Sequence, residues 1–217
     1  MANIVVLTIG SRGDFQPYCA IARGLIEKGH SVTLASSPNF ASFADRFNIP
    51  FVPIAGDFQQ LLGSPNGLKV LEGNNVKFIE DEILWQQKLD AWKACQDSDL
   101  IVFSPITVWG YHIAEALKIP GILATPIPLS RTREFAFLKF TQRTHKRILG
   151  LRNLLSYRLI NVLIWHRYAK SINRFRQDVL KLPRIRSLLG PNYRYSSGLP
   201  MPVIKCKKSL TTGFFQK

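Results

Sequence analysis

The sequence predicts an α/β fold, a doubly wound parallel sheet followed by a basic helical C-terminal segment. Three observations carry this reading. Short β-branched runs occur without in–out alternation, as in strands covered on both faces. They alternate with stretches of helical period, the pattern of right-handed βαβ units. The charge then changes sign along the chain: residues 1–130 hold 9 Lys+Arg against 12 Asp+Glu, and residues 131–217 hold 20 against 2.

Taken in order, Ile4 to Ile9 reads as the first strand and ends at Gly10-Ser11-Arg12-Gly13-Asp14. A helix follows, with Cys19, Ala22 and Ile26 at helical spacing, and Gly29 closes it. Ser31 to Ala35 is the second strand, Phe40 to Phe47 a short helix and Phe51 to Ile54 the third strand. Residues 56–76, with Gly56, Gly63, Gly67 and Gly73, read as loop. A helix is expected over 77–97, a strand over Leu100–Phe103, a helix over Val108–Leu117 and a strand over Ile122–Thr125. Residues 134–181 read as helical and stop at Pro183. The tail from Pro191 reads as irregular, with one short strand at Pro202–Lys205.

The chain has 217 residues, 46% of them hydrophobic and 20% charged, as in an ordinary globular protein. Its net charge of +15 is not ordinary and points to an anionic partner. Cys19, Cys95 and Cys206 show neither metal spacing nor a disulfide framework, so a reducing compartment is expected. No metal site is expected from the four histidines either. No leader and no transmembrane run is expected.

The first strand–helix loop is the sharpest local signal, because a glycine-rich turn at a helix N-terminus is a ready ligand site. Its Gly10-x-x-Gly13 spacing is neither a dinucleotide fingerprint nor a P-loop. Asp14 reads either as the helix N-cap or as a general base at the mouth of a cleft. Arg12 reads as a surface residue, a partner of Asp14 or a phosphate ligand.

The stretch Gly10-Ser11-Arg12-Gly13-Asp14-Phe15-Gln16-Pro17 resembles the opening of the family 28-type glycosyltransferases, the sterol 3-beta-glucosyltransferases in particular. Gly29-His30-Ser31-Val32-Thr33-Leu34-Ala35, Ile113-Ala114-Glu115-Ala116-Leu117 and Pro128 to Phe135 continue the resemblance in order. It covers residues 4 to about 190. Each motif is weak alone, and their order makes the match specific.

The resemblance implies the N-terminal, acceptor-binding half of a two-domain fold of the GT-B type, Rossmann-like in each half. It implies residues 1–190 as that domain, 191–217 as an irregular tail or truncated interdomain connection, and the donor-binding domain as absent. The implied reaction is an inverting transfer of a hexosyl group, glucosyl above all, to a sterol or other lipid hydroxyl. Asp14 is the implied catalytic base. Ser11, Arg12, Gly13 and His112 are candidates for holding the acceptor or a phosphate. No cofactor is expected in this half, and the nucleotide sugar, UDP-glucose, belongs to the complete enzyme. A separate donor-binding chain is one expected partner. The rival reading is a non-catalytic module that binds a lipid or another acceptor.

The basic segment has two readings. One is a packed helix pair with a solvated basic face. The other is a surface on anionic lipid, with Lys139, Arg143, Lys146, Arg147, Arg152 and Arg158 at headgroups and aromatics below them. A lipid acceptor favours the second, with a cytoplasmic, membrane-peripheral location. No nucleic-acid-binding motif is present, so no nucleic acid is expected.

Overall fold

The computed structural model describes residues 1–65, 68, 79–126, 132, 133 and 147–185. Five strands form one parallel sheet: β1 (Asn3–Leu7), β2 (Ser31–Ser36), β3 (Phe51–Pro53), β4 (Leu100–Phe103) and β5 (Gly121–Leu123). Their order is β3-β2-β1-β4-β5. Every pairing is parallel, with Val6 opposite Leu34 on one side and Val102 on the other. This is the doubly wound arrangement that the sequence predicts, and the chain reverses its direction of winding between β1 and β4.

The helices described in this part include α1 (Arg12–Glu27), α2 (Ala41–Asp45), α3 (Phe58–Gly63), α4 (Asp81–Ala94) and α5 (Trp109–Leu117). On α1 the apolar side chains Phe15, Tyr18, Cys19 and Ala22 recur at helical spacing and are buried. They pack on Ile4, Val6, Val32 and Leu34 of the sheet. Phe15 also stacks on Phe40 at 4.3 Å between ring centres. Alternate residues of each strand point to the other face. There α5 comes close because Gly110 has no side chain: a Cβ would lie 2.8 Å from Cβ of Phe103 and 3.2 Å from Cδ1 of Leu7.

The outer strand β3 bonds to β2 through even-numbered residues, with Leu34 N–H donating to Pro50 and Ile54 N–H donating to Ser36. Phe51 and Pro53 therefore turn their backbone groups to the open edge, where the missing N–H of proline costs no ladder bond.

The first strand runs Asn3–Leu7 rather than Ile4 to Ile9, and two further details differ from expectation. Residues 56–76 include the short helix α3, which their glycine content hid. The fifth strand is Gly121–Leu123 rather than Ile122–Thr125. The expected strand at Pro202–Lys205 lies outside the described residues.

The chain divides into two compact units, one holding residues 1–126 and the other residues 127–200. The second contains α6 (Arg147–Asp178), 32 residues long, within the expected helical stretch. Its C-terminal end is clamped. Asn173 donates to the Ile185 carbonyl at 2.9 Å and accepts from the Ile185 N–H at 2.8 Å, while Arg176 donates to the Pro183 carbonyl at 2.9 Å. Among the described residues, no helix is long and apolar enough to cross a membrane.

Candidate functional site

The carboxyl ends of β1 and β4 meet where the winding reverses, the place where open α/β sheets bind ligands. After β1, the Thr8 side chain donates to the Asp14 carbonyl at 3.2 Å. After β4, the Thr107 hydroxyl donates to the Leu7 carbonyl at 3.0 Å and ties the second loop to the first strand. Tyr18 donates to the Ala124 carbonyl at 2.6 Å, holding α1 against the end of β5. Burial, reinforced by the charge of Asp14, keeps that phenol protonated well above its ordinary range.

Asp14 is not the N-cap of α1. Ser11 occupies that position, and Asp14 is the third residue of the helix. Its Oδ2 reaches back and accepts from the Ser11 N–H at 2.9 Å and from the Ser11 hydroxyl at 2.8 Å. That satisfies a backbone donor the helix leaves open and places a negative charge at the positive end of the helix dipole. Gly10 makes room for it. Its φ is +140°, and a Cβ there would lie 2.5 Å from Oδ2 of Asp14.

Arg12 makes no ion pair with Asp14 among the described residues. Its guanidinium lies over the Phe43 ring, 5.4 Å from the centre. Gly13 is exposed, and a Cβ there would meet only Ser11 Oγ at an ordinary 3.6 Å. So the loop gathers Ser11, Arg12, Gly13 and Asp14 at one helix start. His112 is elsewhere, on α5 and 1% exposed, beside Tyr111 and 3.9 Å from a carboxylate oxygen of Glu115. An acceptor contact would require that packing to open.

The sequence did not single out Lys88, which is buried on α4. Its ammonium donates to the Leu84 carbonyl at 2.7 Å and stands 5.4 Å from the centre of the Trp109 ring. Burial pushes its pKa down to about 8, against the opposing pull of Asp81. Between about 8 and the usual 10.5 the unfolded chain holds this proton and the folded chain has lost it. Through this group, stability therefore rises with pH across that window. Lys88→Met is expected to flatten the rise and to raise stability at pH 7, as urea titrations at pH 7 and 9 would show.

Ser36 and Ser37 were missed as well. Both are buried where β2 ends, and neither hydroxyl has a hydrogen-bond partner among the described residues. Of the residues expected at a membrane, Lys139, Arg143 and Lys146 lie outside the described residues. Arg147 opens α6, and Arg152 and Arg158 are exposed on it.

Comparison with known proteins shows the family. Residues 4–136 match the glycosyltransferase family 28 N-terminal domain. Over 189 residues the chain is 38% identical to a sterol 3-beta-glucosyltransferase of Candida albicans, a match that covers 84% of this chain and 12% of that protein. The enzyme of the same description from Aspergillus terreus is 36% identical over 214 residues, 92% of this chain and 15% of that one. The chain thus spans only 12–15% of the length of these relatives. Among solved structures, the glycotransferase of kitacinnamycin overlaps with a TM-score of 0.52 at 14% identity, over 86% of this chain and 42% of that one. At that identity the likeness concerns the fold alone. With more than half its residues matched to that domain, the chain belongs to glycosyltransferase family 28.

Proposed function

We propose that this chain is the acceptor-binding half of an enzyme that transfers a glucosyl group from UDP-glucose to the hydroxyl of a sterol or another lipid. The observation that carries the reading is the Asp14 carboxylate. Ser11 holds Oδ2, and Oδ1 makes no hydrogen bond among the described residues. An anchored carboxylate with one oxygen to spare, where the winding of the sheet reverses, suits a general base.

An alcohol is a weak nucleophile while it keeps its proton. Oδ1 of Asp14 takes that proton as the acceptor oxygen bonds to the anomeric carbon. The bond from that carbon to the nucleoside diphosphate breaks, the diphosphate leaves with the electron pair, and the configuration inverts. Ser11, Arg12 and Gly13 border the place where acceptor and diphosphate meet. The donor sits on a second domain, in the same polypeptide or in a partner chain. A lipid acceptor puts the enzyme on the cytoplasmic face of a membrane, where exposed Arg152 and Arg158 meet headgroups.

The test joins the 217-residue chain to the donor-binding half of a related sterol glucosyltransferase. The chain alone is expected to bind a sterol but to form no glucoside, because positioning both reactants takes both walls of the cleft. The joined protein is expected to form the inverted sterol glucoside. A joined protein that binds UDP-glucose and glucosylates no sterol or lipid would make the chain a non-catalytic module. Transfer by the chain alone would place the donor site within it.

A further inference from the structure

The first half of α6 presents an apolar stripe that nothing in the described part of its unit covers. Leu151, Leu155, Leu159, Val162 and Leu163 are between 39% and 64% exposed. At 3.6 residues per turn they fall within an arc of about 120°, along about 20 Å of helix. On the same wheel Arg158 stands about 20° outside one edge, and Arg152 lies about 20° inside the other. Tyr157, Ile172 and Phe175, all buried, lie on the far side of the helix. The clamp at Asn173 and Arg176 occupies the other end of the helix and leaves the stripe free.

We propose that this stripe inserts into the surface of an anionic lipid bilayer, with α6 lying in the plane of the membrane, Arg158 reaching headgroup phosphates from one edge and the long side chain of Arg152 extending to them past the other. The proposal deepens the membrane part of the function proposed above and rests on it. Charge selects the occupant. Residues 135–177 contain no Asp or Glu, whereas ten Lys and Arg lie between Lys139 and Arg176. A second copy of this chain would bring the same positive face against the first, so pairing through the stripe is opposed by repulsion. A nucleic acid would leave the leucines in water. An anionic bilayer answers both features at once: apolar side chains enter the acyl boundary, and arginine stems run along it while their heads stay at the phosphates.

This reading also replaces one detail of the sequence expectation. Among the described residues, the stripe itself is made of leucines and a valine, where the sequence expectation placed aromatics.

The experiment uses the full 217-residue chain and vesicles of phosphatidylcholine with or without phosphatidylserine, sedimented at low and high salt. The wild type is expected to bind the phosphatidylserine vesicles and to keep a salt-resistant remainder of that binding. The combined variant Leu151→Ser, Leu155→Ser, Leu159→Ser is expected to lose roughly tenfold or more in vesicle affinity, since each leucine forfeits its transfer out of water. Its thermal melt should stay that of the wild type, because the side chains removed are exposed. Leu155→Trp supplies a second readout: the added emission should shift to the blue and be quenched by brominated lipid.

The outcomes separate the two layers of the proposal. A wild type that ignores anionic vesicles at low salt overturns the membrane reading and this inference with it. Triple-serine and wild-type proteins that bind alike, both released by salt, leave the electrostatic reading standing and overturn insertion. Lipid-free self-association that the serine variant abolishes gives the stripe to a second copy and overturns the proposal too.

Discussion

Replacing Asp14 by Asn is expected to lower turnover of the joined two-domain enzyme by roughly two orders of magnitude or more, the usual worth of a positioned general base. The structure says why the loss should be chemical. An Asn side-chain oxygen can still accept from the N–H and hydroxyl of Ser11, which hold Oδ2 in the wild type. What disappears is the proton acceptor, together with a negative charge in the first turn of α1 worth about 0.3–1 kcal/mol against the helix dipole. Rates of glucoside formation and a thermal melt on the same preparation decide the matter. Slow turnover with a nearly unchanged melt supports the base. Turnover close to wild type would remove Asp14 from the chemistry, and a collapsed melt would make the carboxylate mainly structural.

Gly10→Ala is expected to damage both properties. The residue sits at a φ of +140°, which side-chain-bearing residues rarely adopt. Forcing alanine there costs roughly 1–3 kcal/mol. The new methyl would also lie 2.9 Å from Cβ and Cγ of Asp14, closer than side chains pack. Overpacking of that kind adds about 1–3 kcal/mol. Asp14 must then move, and a displaced base can lose about a hundredfold in rate. A lower melting temperature with lower turnover is the expected pair. An alanine variant with wild-type melting and rate would show that the loop adapts and that the close contact has no role in aiming Asp14.

Much of the sheet was legible because its strands are short apolar runs between turn-forming residues. Leu100–Phe103, preceded by Asp97 and Asp99, was read to the residue. The helix α3 was not, since Gly56 and Gly63 flank too few residues to show a period. In the site, the residues of the first loop were legible from their spacing, but their division of labour was not. Both Ser11 and Asp14 suit a helix start, and only the geometry assigns the cap to one and the returning carboxylate to the other. His112 looked available because it follows a strand at the ligand-binding end of the sheet. Its burial depends on how closely α5 settles on β4, which one helix pattern does not reveal. The stripe on α6 was hidden for the opposite reason. Leucine and isoleucine occur all round that helix, and packing alone tells which of them are left in water.

The open edge of the sheet has a consequence for how a second domain is joined to this one. At β3 the outward backbone groups belong to Phe51 and Pro53, and Pro53 has no N–H to give. An incoming strand would find one donor where a ladder needs a row, so the sheet does not grow on that side. A domain joined on that side would meet this one through side chains and loops and not through a shared sheet. Joints of that kind slide and swing at little cost, whereas a shared sheet would lock the two halves at one angle.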